Sequence, residues 1–143
     1  MQKTAVEQTL QHLIAFNSEN PPGNEKAIGL FVAQYLKNLG LTVSLREFAS
    51  NRTNVIARLK GASGHTLLIT PHLDTVPAGR SWTTQPFRAA VRNGYMYGLG
   101  ATDCKVNLAC ALEAIKQIVK EKIKLNYTLI FAATADEESG STL

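Results

Sequence analysis

No apolar run in the 143-residue chain approaches the roughly 20 residues that a helix needs to cross a bilayer, so no membrane partner is expected. The N-terminus, MQKTAVEQTLQHLIAF, has neither a continuous apolar h-region nor a small-residue cleavage site, which points to a soluble cytoplasmic protein. Cysteine is scarce. Cys104 and Cys110 lie six residues apart in a helical pattern, on different faces and too distant to bridge, so both are expected to be reduced, buried thiols. Strong charge is also lacking: the net charge is +4, and the bases are scattered except for Lys116, Lys120, Lys122 and Lys124. That run reads as a solvated helix face, which leaves no nucleic-acid patch. There is no internal repeat and no linker. GASGH lacks the full nucleophile-elbow pattern, and HLDTVP lacks the glycine that follows Asp-Thr in aspartic proteases. GLGATD follows a hairpin pattern rather than a central strand, and Asp103 takes the place of the last glycine of a dinucleotide loop, where it would repel a pyrophosphate.

What is present is the composition of one globular domain, 45% hydrophobic and 18% charged. Thr4 and Glu7 form a capping-box signature, and Val6, Leu10, Leu13, Ile14 and Asn17 share a stripe of a first helix that Asn20, Pro21, Pro22 and Gly23 stop. A second helix from about Asn24 carries Ile28, Phe31, Val32, Tyr35, Leu36 and Leu39 at helical spacing and closes at Gly40. Leu41 to Phe48 alternates as a strand with one wet face, and Asn54 to Lys60 reads as its neighbour. The unbroken runs Thr66 to Ile69 and Thr128 to Ala135 predict central strands covered on both sides. Between them, Arg88 to Tyr97 reads as a hairpin turning at Asn93 and Gly94, followed by a helix with Leu108, Leu112, Ile115 and Val119 on one stripe. The fold class is α/β.

The acids are concentrated where loops should be: Asp74, Asp103, Asp136, Glu137 and Glu138 are five of the eleven. In open α/β sheets, ligands bind outside the carboxyl ends of the strands, and two acid clusters, in PHLDTVPAG and DEES, follow the two apolar strand runs directly. A strand-like spacing puts His72 and Asp74 on one side. Asp103, in GLGATDCK, falls near a helix N-terminus, where an anion is favoured by about 0.3 to 1 kcal/mol. Converging carboxylates repel one another, and their pKa values rise unless positive charge sits among them. One histidine with several carboxylates suits Zn²⁺, Co²⁺ or Mn²⁺. Asp136 reads equally as a partner of these groups or as a solvated strand end. His12 and His65 read as structural, Trp82, Pro86 and Phe87 as packing residues. Lys105 is placed in a first helical turn, with a substrate contact as the alternative.

The motifs HLDTVP, GLGATDCK and ADEESG, with SENPPGNE upstream and WTTQPF between, closely resemble the M20 metallopeptidases, a family that includes acetylornithine deacetylase, succinyl-diaminopimelate desuccinylase, aminoacylase and glutamate carboxypeptidase. The resemblance runs from about residue 6 to the end. It implies a partial zinc-peptidase-like catalytic domain with a mixed, mostly parallel sheet flanked by helices. It also implies hydrolysis of an amide bond in an N-acyl amino acid or small peptide, with two divalent metal ions, Zn²⁺ first and Co²⁺ as the alternative. By the same resemblance His72 binds one metal, Asp103 bridges two and Glu138 binds the second. Asp74 orients the His72 imidazole, Glu137 is the general base and acid, and the Asp103–Cys104 peptide is cis. The chain departs from the family pattern at Pro71, Leu99, Cys104, Val106 and Asn107, none of which removes a ligand.

The family's remaining ligands are an acid well after the Glu-Glu pair and a histidine near the far C-terminus. No Asp or Glu follows Glu138 here, and no His follows His72. Each metal would keep two protein ligands, whereas a catalytic zinc usually has three. Residues 1–143 are therefore expected to be the N-terminal part of a metallohydrolase catalytic domain, without the lid or dimerisation domain and with little activity alone. The full-length form is expected to be a homodimer. The alternative is a truncated, catalytically dead remnant that serves as a metal-binding or interaction module.

Overall fold

In a computed structural model of the chain, which describes residues 2–141, the expected elements appear with their boundaries shifted by a few residues. Helix α1, Ala5–Ile14, opens on the complete capping box: the Thr4 side chain accepts from the Glu7 amide, and the Glu7 carboxylate accepts from the Thr4 amide. It buries Leu10, Leu13 and Ile14 and ends before Asn17. Helix α2, Lys26–Asn38, buries Ile28, Val32 and Leu36, and Gly40 takes the left-handed conformation just beyond it, at φ +83°. Strands β1, Thr42–Ala49, and β2, Arg52–Leu59, form an antiparallel pair, and β3 spans Thr66–Ile69. A separate hairpin pairs β4, Ala90–Arg92, with β5, Tyr95–Tyr97. Its turn has positive φ at both Asn93 and Gly94, the geometry that Asn-Gly favours. Helix α3, Lys105–Lys120, then leads to β6, Thr128–Ala133.

The main sheet has the order β1-β2-β6-β3. It is mixed, as expected, but not mostly parallel: β1 with β2 and β2 with β6 are antiparallel, and β3 with β6 is the parallel pair. β6 is internal and well buried, whereas β3, also expected to be central, is the edge strand of the described sheet. The reason lies in the helices. Alternate residues Val55, Ala57, Leu129, Phe131 and Ala133 form one core with apolar side chains of α1, α2 and α3, so the three helices cover a single face. On the opposite face Ile56 and Leu68 are exposed. An apolar run specifies burial only when both faces find a cover, and among the described residues β3 is covered only in part, since Leu67, beside the core residue Leu129, is exposed as well.

The same periodicity corrects the cysteine reading. Cys104 is buried, but Cys110 sits on the exposed stripe of α3 with Asn107, Ala114 and Gln117. The core and the open face differ enough to be separated by experiment. Leu112→Ala is expected to lower the unfolding free energy by about 2 to 5 kcal/mol, and Leu68→Ala to change it by less than about 0.5 kcal/mol, in urea titrations with an unchanged m-value.

Candidate metal centre

Beyond β3 the ladder breaks at Thr70 and resumes, with the Leu73 amide donating to the Thr134 carbonyl at 2.7 Å and the Thr134 amide to the Pro71 carbonyl at 3.1 Å. This isolated parallel bridge carries His72 to the end of β6. A second isolated parallel bridge joins Glu19 to Thr75, so the segment from Ser18 to Asn20 runs beside Thr75, hydrogen-bonded to it on both sides. The helix-stop reading of SENPPG therefore missed half its role, which is to bring Asn20 alongside Asp74. On the third side, Cys104 ties the start of α3 to the same place: its thiol accepts from the His72 amide at 3.2 Å and donates to the His72 carbonyl at 3.4 Å. The Asp103–Cys104 peptide is cis, as are Asn20–Pro21 and Pro21–Pro22.

These connections bring His72, Asp103, Glu137 and Glu138 together. His72 Nε2 lies 3.0 Å from Asp103 Oδ1 and 3.8 Å from Glu137 Oε2, and ligand atoms of His72, Glu137 and Glu138 all lie within 4.8 Å of one another. His72 is buried, Asp103 and Glu137 are exposed and Glu138 is intermediate, so the cluster opens on one side. Asp74 is fully buried behind it. Its carboxylate accepts from the Glu138 amide at 2.9 Å, the Glu137 amide at 3.3 Å and Asn20 Nδ2 at 2.9 Å. The far side of the His72 ring is held by the same residue, with Nδ1 at 3.0 Å from the Asp74 carbonyl and 3.5 Å from its carboxylate, which leaves Nε2 facing the acids.

The electrostatics follow from this crowding. Burial opposes protonation of His72, but its contacts with Asp74, Cys104 and Asp103 overcome it and hold the pKa up at about 11. Burial likewise opposes ionisation of Asp74, yet hydrogen bonds from His72, Asn20 and the Glu138 amide keep it well below the usual carboxylate range. Glu138 is pushed up by burial and by the charges of Asp103, Asp74 and Glu137, against the pull of His72. A carboxylate held against its own ionisation beside an imidazole nitrogen turned toward it is the donor set that a divalent cation satisfies, so the residues present fit a metal.

Asp136 is no solvated strand end: it is buried, and its carboxylate meets Arg52 Nη2 at 2.7 Å and Asn20 Nδ2 at 3.2 Å. Arg52 also grips Glu25 in a two-point contact, Nη2 to Oε1 at 2.8 Å and Nε to Oε2 at 3.2 Å. Gly23 has to be glycine beside that guanidinium, because a Cβ would fall 2.6 Å from Arg52 Cζ and φ is +91°. Lys105 does not face the cluster; it is buried and donates to the Phe16 carbonyl at 2.8 Å, and burial, opposed by Glu19, lowers its pKa to about 8. His12 and His65 are exposed and apart from the cluster. Pro86 and Phe87 are half-buried, as packing residues should be, but Trp82 is exposed and lines an open cleft of about 500 Å³ that also reaches Tyr97, Asp103 and Glu138.

The family model for peptidase family M20/M25/M40 matches residues 68–142. The chain is similar to the N-formyl-4-amino-5-aminomethyl-2-methylpyrimidine deformylase of Bacillus subtilis, with 33% identity over 96% of this chain and 34% of the relative. It is 35% identical to the succinyl-diaminopimelate desuccinylase of Hydrogenovibrio crunogenus, over 92% of this chain and 34% of that protein. Among solved structures, an M20 family metallo-carboxypeptidase from Sulfolobus solfataricus superposes with a TM-score of 0.87 at 26% identity, over 97% of this chain and 32% of the other. The chain thus spans about a third of the length of the relatives it matches.

Because the His72 pKa is raised from 6.5 to about 11, its stabilising contribution without added metal is complete below 6.5 and is lost as pH rises through 11. Asp74→Asn is expected to move the His72 titration down from about 11 toward 6.5, followed by NMR of the imidazole protons. A midpoint unchanged by the substitution would show that Asp74 does not hold the ring charge.

Proposed function

Because the chain belongs to peptidase family M20/M25/M40, we propose that it forms the N-terminal part of a metal-dependent hydrolase that cleaves the amide bond of an N-acyl amino acid or small peptide. The observation that carries this reading is His72 Nε2 at 3.0 Å from Asp103, with Glu137 and Glu138 gathered around the same ring. The relatives point the same way, being named for removal of a formyl group, removal of a succinyl group and carboxypeptidase action, all cleavages at an acyl–nitrogen bond.

In this reading His72, Asp103 and Glu138 would hold two divalent cations, zinc first and cobalt as the alternative, which would supply Lewis-acid polarisation of the scissile carbonyl and a more acidic water. Asp74 has two positioning roles. It fixes the His72 ring at Nδ1 so that Nε2 is presented, and it accepts from the Glu137 and Glu138 amides so that both side chains leave the loop toward the ring. Glu137, exposed and beside His72, takes the proton of the attacking water and delivers it to the departing nitrogen. Adjacent Glu137 and Glu138 project differently from the backbone, which divides the labour: the partly buried Glu138 ligates and the exposed Glu137 moves the proton.

The working enzyme on this reading is a longer polypeptide, cytoplasmic and homodimeric, whose further residues complete the ligand set. The proportion of the relatives spanned here, 34%, supports the longer polypeptide. In that polypeptide Glu137→Gln is expected to lower kcat by about 10²- to 10⁴-fold while the bound metal stays constant, whereas Glu138→Gln lowers the metal content itself, measured by elemental analysis. Substrates for the assay are N-formyl, N-acetyl and N-succinyl amino acids and dipeptides. Hydrolysis that survives exhaustive chelation would sink the metal-dependent reading. The 143-residue chain alone with Zn²⁺ or Co²⁺ is expected to turn over far more slowly, and equal turnover would refute the division of the site between this chain and the rest.

A further inference from the structure

Arg52 is buried at the first position of β2, and its ion pairs are with residues outside the metal-centre cluster. Its guanidinium lies between two carboxylates, Glu25 and Asp136, each with a contact of 2.8 Å or less. Burying one cation between two acids is a poor way to gain stability, since desolvation offsets much of the attraction. What the arrangement does is fix a position. Asp136 lies three residues beyond the end of β6, and it stands in the left-handed region at φ +71°. That conformation turns the next two amides, of Glu137 and Glu138, back onto the Asp74 carboxylate. Contacts that hold Asp136 there include Arg52 on its carboxylate, Asn20 on the same oxygen, and Glu25 Oε1 accepting from its amide at 3.3 Å. Asn20 then closes the circuit, because its Nδ2 also donates to Asp74 Oδ2 at 2.9 Å. The path runs from Arg52 through Asp136 and Asn20 to the carboxylate behind His72.

We infer that Arg52 is a positioning residue for the metal centre: by clamping Asp136 against Glu25 and Asn20, it sets where Glu137 and Glu138 stand relative to His72. The inference rests on reading the cluster as a metal centre, but its first consequence, a fixed loop, is measurable without metal. Lysine at this position would keep the charge and lose the two-point fork, since an ammonium cannot present two parallel donors to Glu25 while reaching Asp136. Asn20→Ala would leave the ion triad intact and cut the link to Asp74. The two changes therefore break the same path at different places.

The experiment compares wild type, Arg52→Lys and Asn20→Ala by amide hydrogen exchange without metal and by Co²⁺ titration followed in the visible spectrum. In both variants the Glu137 and Glu138 amides are expected to exchange at least tenfold faster, while the Phe131 and Leu112 amides keep wild-type rates, and Co²⁺ binding is expected to weaken at least tenfold with altered band intensities. Uniform acceleration of all amides would reduce Arg52 to a structural role and overturn the inference, as would wild-type exchange at Glu137 and Glu138 in a folded variant. Should Arg52→Lys fail to fold, Asn20→Ala alone decides, because it removes no charge. A full-length wild type, with its ligand set complete, that takes up no Co²⁺ would defeat the metal reading, and the exchange comparison would still decide the positioning role.

Discussion

A carboxylate buried at the end of a sheet stays ionised only if its surroundings donate to it, and Asp74 is surrounded in that way. The amides of Glu137 and Glu138, the side chain of Asn20 and the His72 ring all point at its two oxygens or lie beside them. Hydrogen bonds to a charged acceptor are about twice as strong as neutral ones, so one side chain fixes three separate parts of the chain at once. Without that centre the Glu137–Glu138 pair would lose the two amide anchors that hold it near Asp103 against the repulsion of like charges. The open side of the cluster is crowded with acid because its closed side is crowded with donors.

The fold serves this arrangement in a simple way. Parallel pairing between β3 and β6 makes both strands end at the same edge, and the bridge from His72 to Thr134 extends that edge by a few residues. The antiparallel neighbour β2 starts where β6 finishes, which is why Arg52, its first residue, can reach Asp136 just past the last residue of β6. Asp103, just before the first turn of α3, meets the same edge through its contact with His72. Three strand ends and one helix start converge, in accord with the rule that ligands bind beyond the carboxyl ends of strands in such sheets.

Much of this was legible in the sequence, and what was not has identifiable causes. Helical spacing and the Thr4–Glu7 box located α1, and Asn93-Gly94 located the hairpin, because those signals are local. His72, Asp103, Glu137 and Glu138 could be grouped because each follows or precedes an element at the expected end. The position of β3 could not be read, since an apolar run does not name its neighbours and the sheet order depends on pairing over long separations. Arg52 and Asn20 were overlooked for a related reason: an arginine at a strand start reads as solvated, and an asparagine before two prolines reads as a turn. The one available hint was the polar trio Arg52-Thr53-Asn54 ahead of an apolar strand, two of which turned out to be buried. Exposure of Cys110 was in principle readable from its phase with Asn107 and Gln117.

The long reach of the Arg52 triad has a consequence for biosynthesis. Glu25 and Asp136 stand 111 positions apart in the sequence, and Asn20 and Asp136 stand 116 apart. A ribosome releases residues in order, so Arg52 emerges with Glu25 already available and its other acid still unmade. Until β6 clears the exit tunnel, the guanidinium has half its partners and Asp74 lacks two of its donors, and closing such distant contacts is entropically the late step of folding. The edge that gathers His72, Asp103, Glu137 and Glu138 therefore cannot close before residues 136–138 have been made.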